Sequence, residues 1–310
     1  MHMNANKSLL SAGLGVMRRT KRYVIWFFLL NLTLASLGAA VFRVNAGTIL
    51  NNSLESSKLT QGFDLATFIE LLARPEVGSM QAVNASAFDF AFLFFLLTLF
   101  FLPGVFLGYA SDHRLPRPEF FRACGANFWR YIRILIFYLF IAGIPIGILF
   151  GIQKGIDKAA DHSTNELLPF TLQMICLAVI FLVAMFFRAW FDQAEVEIVL
   201  RDQNAVRKTI GPARRRTSLG LWATYLFIAV LAGIFLMIGL WLWHSIVPPS
   251  GVLGAFIVSQ LTLIVWLKMR FWQRACAVVH YERQQEMPVA ETYPSPVIPA
   301  SAMPAGAVQA

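Results

Sequence analysis

Six stretches of this chain run for 17 residues or more with almost no charge, and nothing constrains its folding more. They are Tyr23 to Phe42, Phe90 to Ala110, Ile134 to Ile152, Leu167 to Phe187, Leu219 to Trp243 and Gly251 to Leu267. A hydrocarbon core about 30 Å thick takes about 20 residues at 1.5 Å each. Inside it every backbone polar group must be satisfied within the segment, so such stretches cross as helices. The expected fold is therefore all-α, a polytopic transmembrane bundle of six spans. The sixth span is the shortest and carries Gln260 near its middle, so it must lean on protein or sit in thinner lipid.

Charge placement decides what the basicity means. The 310 residues carry a net charge of +9, which invites a nucleic-acid reading, but the basic residues fall between the apolar stretches. The N-terminal segment, the second and fourth connections and the C-terminal segment together hold 21 Lys and Arg, whereas the first, third and fifth connections hold 5. Positive flanks stay in the cytoplasm, so both termini are expected inside, in a bacterial cytoplasmic membrane. The expected partners are membrane lipids, with anionic head groups on the cytoplasmic side, and no nucleic acid. A cleaved signal peptide is disfavoured for the first stretch because its apolar run exceeds the usual h-region.

Composition excludes an ordinary soluble domain: 57% of residues are hydrophobic and 14% charged, against about 25% charged in soluble domains. Cys124, Cys176 and Cys276 are odd in number and far apart, which encodes neither a disulfide framework nor a zinc site. From Met287 to Ala310 there are five prolines and one charge, so residues 1–286 form the membrane domain and residues 287–310 a disordered Pro/Ala-rich tail.

Between the spans, Asp64 precedes Leu65, Phe68, Ile69 and Leu72, an N-cap followed by an apolar stripe, which predicts a short outer helix over 65–74. On the inner side, Leu9 to Arg22, Pro118 to Arg133 and Ala194 to Thr217 mix basic and apolar residues and predict helices lying in the interface. Arg122, Arg130, Arg214, Arg215 and Arg216 are the basic residues expected to face lipid. Trp26, Trp129, Trp190, Trp222, Trp266 and Trp272 cluster near the same boundary. The three approaches, each ahead of an outgoing and a returning span, hint at a threefold repeat. Tyr138 to Ala142 (YLFIA) recurs as Tyr225 to Ala229, but so short a match in so biased a composition is weak support.

Chemistry is sparse. No metalloprotease, nucleophile-elbow, Walker or dinucleotide motif occurs, and no catalytic residue or cofactor is expected. Three groupings remain. Arg188 and Asp192 stand i, i+4 and are followed by Glu195, Glu197 and Asp202, which predicts an inner charge network with Arg207, Lys208 or Arg214 to Arg216. Asp157, Asp161 and His162, with Glu166, have metal-ligand chemistry but sit in a short polar connection where solvated acids need no explanation. Gly143, Gly147, Gly151 and Gly155 recur every four residues, a smooth stripe expected to pack another helix of the same chain, with self-association the alternative.

The runs FFRACGANFWRYIRILI (Phe120 to Ile136) and DQAEVEIVLRDQNAVRK (Asp192 to Lys208) resemble poorly characterised bacterial six-span membrane proteins, including the membrane domain attached to some glycerophosphodiester phosphodiesterases. The resemblance implies an all-helical inner-membrane protein and transfers no catalytic residue. The reading reached from the residues is a membrane-organising or accessory component without a recognisable catalytic site. A transporter or channel for a neutral or amphipathic solute is the alternative, and a membrane enzyme acting on lipid head groups the third.

Overall fold

The computed structural model describes residues 8–50, 80–111, 113–160, 167–202, 205–246 and 252–286. Among them are eight helices and no strand: α1 (Leu9–Arg19), α2 (Arg22–Leu50), α3 (Met80–Ala110), α4 (Arg117–Ala160), α5 (Leu167–Arg201), α6 (Val206–Arg216), α7 (Leu219–Ile246) and α8 (Val252–Glu286). The helix expected over 65–74 and the tail at 287–310 lie outside the described residues.

The six long helices form three antiparallel hairpins. In the first, Gly108 meets Tyr23 and Gly38 meets Phe90, so numbering on α2 and α3 runs in opposite senses. In the second, Cys176 Sγ on α5 donates to Leu149 O on α4 at 3.7 Å, and the Tyr138 ring meets Phe191 edge-on. In the third, Gln273 Nε2 on α8 donates to Tyr225 O on α7 at 3.1 Å, while Gly239 lies against Thr262. The three returning helices α3, α5 and α8 touch one another pairwise and make a central triangle. Each outgoing helix sits against two of them: α2 on α3 and α8, α4 on α3 and α5, α7 on α5 and α8.

Short amphipathic pieces close this ring at the end where the basic connections lie. Helix α1 is capped by Ser8, whose side chain accepts from Ser11 N at 3.3 Å, and it docks on α8. The docking needs Gly13: a Cβ there would stand 2.4 Å from Cys276 Sγ. Helix α6 has no side-chain cap and is held instead by burying Val206, Thr209, Ile210 and Ala213 against α5. Two indoles bond the pieces in place. Trp272 Nε1 donates to Leu10 O at 3.0 Å, and Trp190 Nε1 donates to Ile210 O at 2.8 Å. Trp26, Trp129 and Trp266 remain exposed.

The third piece is fused. Where an interfacial helix was expected over Pro118 to Arg133, α4 runs unbroken from Arg117 to Ala160. Pro118 stands in the first turn, where proline is tolerated, and no other proline occurs before Pro145. Phe120 and Cys124 pack on Gly104 of α3, a contact a Cβ at Gly104 would block at 2.6 Å.

Among the described residues five helices are long and apolar enough to cross a membrane: α2, α3, α4, α5 and α7. The packed core, with Phe106, Tyr131, Ile134, Ile198, Leu221 and Phe271 buried, sits at the basic end. Away from it Ile144, Ile148, Phe170, Ile175, Met237, Trp241, Leu253 and Phe256 are exposed. Water-soluble monomers do not expose apolar surface on that scale, and the protein is a multi-pass membrane protein.

Among the described residues the glycine stripe meets no other helix. A Cβ at Gly147, Gly151 or Gly155 would find no described atom within 4 Å, and at Gly143 only Leu139 of its own helix. Intrachain packing through the stripe is therefore absent among the described residues. Close approach happens at Gly13, Gly104, Gly108 and Gly239, of which only Gly104 and Gly108 stand four residues apart.

Candidate functional site

Helical periodicity brings four faces together inside the ring. On α5, Arg188, Phe191, Asp192 and Glu195 follow i, i+3, i+4, i+7 and so project from one side. On α3, Phe95, Thr98, Leu99 and Leu102 do the same, and Ile134, Leu135 and Tyr138 of α4 and Arg270 and Arg274 of α8 complete the enclosure. The cavity between them measures about 290 Å³. Its α3 and α4 walls are almost wholly apolar. Its α5 and α8 walls carry five ionisable groups, three guanidiniums against two carboxylates, a formal balance of one positive charge.

Asp192, 3% exposed, is the best-held of the five. Tyr225 Oη donates to its Oδ2 at 2.7 Å, and Arg270 reaches Oδ2 through Nη1 at 3.4 Å and Oδ1 through Nη2 at 3.5 Å. Arg270 Nη1 also donates to Gln273 Oε1 at 3.2 Å, and Gln273 in turn holds the Tyr225 carbonyl. Three helices, α5, α7 and α8, are tied at this carboxylate.

The other three charges are not tied. Arg188 and Arg274 make no hydrogen bond or ion pair with any described residue. The Nε of each is buried without a partner, as are Glu195 Oε2 and Thr98 Oγ1. Arg274 is 8% exposed, with its guanidinium 5.6 Å from the Phe271 ring centroid. Buried polar groups are normally hydrogen-bonded, so four unpartnered atoms facing one cavity set it apart from the packed core around it.

A second cluster lies farther toward the basic end. Glu197 pairs with Arg216 at 2.8 Å and with Arg201 at 3.6 Å. The Arg216 carbonyl accepts from Gln284 Nε2 at 2.9 Å and lies 3.0 Å from His280 Nε2. Burial pushes the His280 imidazole below its ordinary value, and its bond to the Arg216 backbone opposes that only in part. These contacts fasten the end of α6 to α8.

The inner charge network expected from sequence is present in part. Glu197 meets Arg216, one of the expected pairs, whereas Arg188 does not pair with Asp192, whose cation is Arg270. Arg130, expected against lipid, bonds Asp202 and Asn127 within the protein, and Arg216 is likewise engaged internally. Arg122, Arg214 and Arg215 are exposed, and the Arg214 guanidinium lies 5.6 Å from the centroid of the Trp190 ring. Asp157 accepts from Gln173 Nε2 at 2.6 Å, whereas Asp161, His162 and Glu166 lie outside the described residues. Among the described residues no three His, Cys, Asp or Glu side chains come together as a metal site.

Sequence reasoning missed Arg270, Gln273, Arg274 and Tyr225. One signal was present: Arg270, Gln273 and Arg274 stand i, i+3, i+4 immediately before the uncharged run Ala275 to Val279. Polar residues on one face of an otherwise buried helix need partners, and the only acids within reach of a bundle interior were those on α5. No family model, no curated protein and no solved structure matches this chain.

Proposed function

We propose that the protein is a six-span component of a bacterial cytoplasmic membrane, with both termini in the cytoplasm, that organises its lipid surroundings or supports assembly rather than catalysing a reaction. The observation that carries this reading is the packed base at the basic end, where α1 docks on α8, α6 docks on α5 and the first turns of α4 pack on α3, with Glu197 and Arg216 paired across α5 and α6. Such a base is a rigid platform.

Helix α8 is the sixth crossing in this reading. It lies antiparallel along α7, and α1 docks on its far end, so the first and last described helices meet on one side, an arrangement that supports an even number of crossings. Reporter fusions after Arg216 and Gln285 read as cytoplasmic and one after Lys58 as translocated; a cytoplasmic signal at Lys58 overturns the arrangement. In sealed proteoliposomes the protein leaves the permeability to neutral and amphipathic solutes unchanged. Saturable uptake would instead establish the transporter.

A further inference from the structure

We infer that the cavity between α3, α4, α5 and α8 binds a singly charged phosphodiester head group that carries a hydrogen-bond donor, with the attached hydrocarbon passing out along α3; the inference rests on the membrane reading above.

The charge balance selects the anion. Three guanidiniums and two carboxylates line the cavity, so its wall carries an excess of positive charge that an anion neutralises. Two guanidiniums are open to the anion: Arg188 and Arg274 approach from different helices with unpartnered Nε–H groups, and each offers a planar fork. A phosphodiester shares its charge between two oxygens, so one can accept from each guanidinium, and it is the anion that lipid head groups carry at the edge of the hydrocarbon. Glu195 Oε2, buried and without a donor, selects the remainder of the head group, since a hydroxyl placed beside the phosphate would supply the missing hydrogen bond.

The surroundings select an amphiphile. Phe95 to Leu102 spans about 10 Å along α3, as Arg188 to Glu195 does along α5, so one wall is apolar over the length that the other is charged. Phe95, at the end farther from the basic connections, is 42% exposed and lies in an apolar stretch that faces lipid in a membrane. A head group enters there without the chains leaving hydrocarbon. Small-molecule sites commonly measure about 300–1,000 Å³, and about 290 Å³ suits a head group rather than a whole lipid.

The test uses the full chain in nanodiscs of equal phosphatidylglycerol and phosphatidylcholine, released and weighed by native mass spectrometry. Wild type is expected to retain one phosphatidylglycerol with at least tenfold preference. The double variant Arg188→Gln/Arg274→Gln loses that preference. So does Thr98→Phe, which fills the cavity from its apolar wall and leaves every charge in place; both variants keep the wild-type unfolding midpoint in SDS, which separates lost binding from failure to fold. Arg122→Gln, an exposed cation, keeps it. Displacement of the lipid by diethyl phosphate at matched concentration assigns the site to a free phosphodiester and upholds the anion chemistry; displacement only by dihexanoyl phosphatidylglycerol assigns it to the lipid. Equal retention of the two lipids by wild type, or an undiminished preference in both variants, overturns the proposal. The reporter fusions test the membrane reading separately.

Discussion

Replacing Asp192 with alanine attacks the point where three helices are joined. At 3.4 Å and an effective dielectric near 20, its attraction to Arg270 is about 5 kcal/mol before desolvation is set against it. Removal of one partner leaves Arg270 without its counter-charge, Tyr225 Oη without an acceptor, and two rather than one excess positive charges on the cavity wall. Breaking a buried pair in this way costs about 3–5 kcal/mol, more than the net value of the pair itself. Arg270→Ala alone strands Asp192, which is more deeply buried, and is expected to cost a similar amount. The double variant removes both charges and should cost less than the sum, with a coupling of about 0.5–3 kcal/mol. Reversible unfolding of the detergent-solubilised protein by SDS, followed by tryptophan fluorescence, measures all three. Additive losses, or a loss below about 1 kcal/mol for Asp192→Ala, would refute the idea that this carboxylate ties α5, α7 and α8 together.

Gly104→Ala places a methyl 2.6 Å from the Phe120 ring and should cost about 1–3 kcal/mol by overpacking, whereas Gly147→Ala meets nothing and should be neutral or stabilising by roughly 0.5–1 kcal/mol; the same SDS titration compares them. His280 is depressed in the folded protein, so the unfolded chain takes up a proton first as pH falls through about 6.5, and stability should decline below that value. His280→Gln should remove that part of the pH dependence of the unfolding midpoint. Cys276 is buried beneath α1, and burial pushes its thiol up to about 12, so it should resist maleimide at neutral pH; Gly13→Val, which drives α1 off α8, should make it label rapidly, as read by intact mass.

The long helices were legible because an uncharged run of 20 residues has few alternatives, and four starts agree closely, Tyr23 against Arg22, Gly251 against Val252, and Leu167 and Leu219 without change, whereas α3 begins at Met80 rather than Phe90 and α4 at Arg117 rather than Ile134. Their ends were not, since α5 continues to Arg201 and α8 to Glu286 through residues whose charge suggested solvent. Charge in sequence does not distinguish a solvated turn from a helix whose ionic face is buried by neighbours hundreds of residues away. For the same reason Arg188, Asp192 and Glu195 were found as a group but given the wrong partners: hydrogen-bonding over 78 residues to Arg270 leaves no local pattern. The glycine stripe shows the converse, since no described helix packs on it. Regular spacing shows that a face is smooth, and only the tertiary arrangement shows whether anything lies on it.

The docking of α1 on α8 has a consequence for biogenesis. Leu10 and Trp272 are separated by 262 positions, so the groove that receives α1 does not exist until the last long helix has been made. At about 5–20 residues per second, α1 waits on the order of 10–50 s with Gly13, Val16 and Met17 uncovered. Throughout that interval the nascent chain displays an amphipathic segment with Arg18 and Arg19 in its last turn, a surface suited to the lipid interface or to an insertion factor. Closure of the ring then acts as a completion signal: only a chain with all three hairpins in place can hide its own first helix.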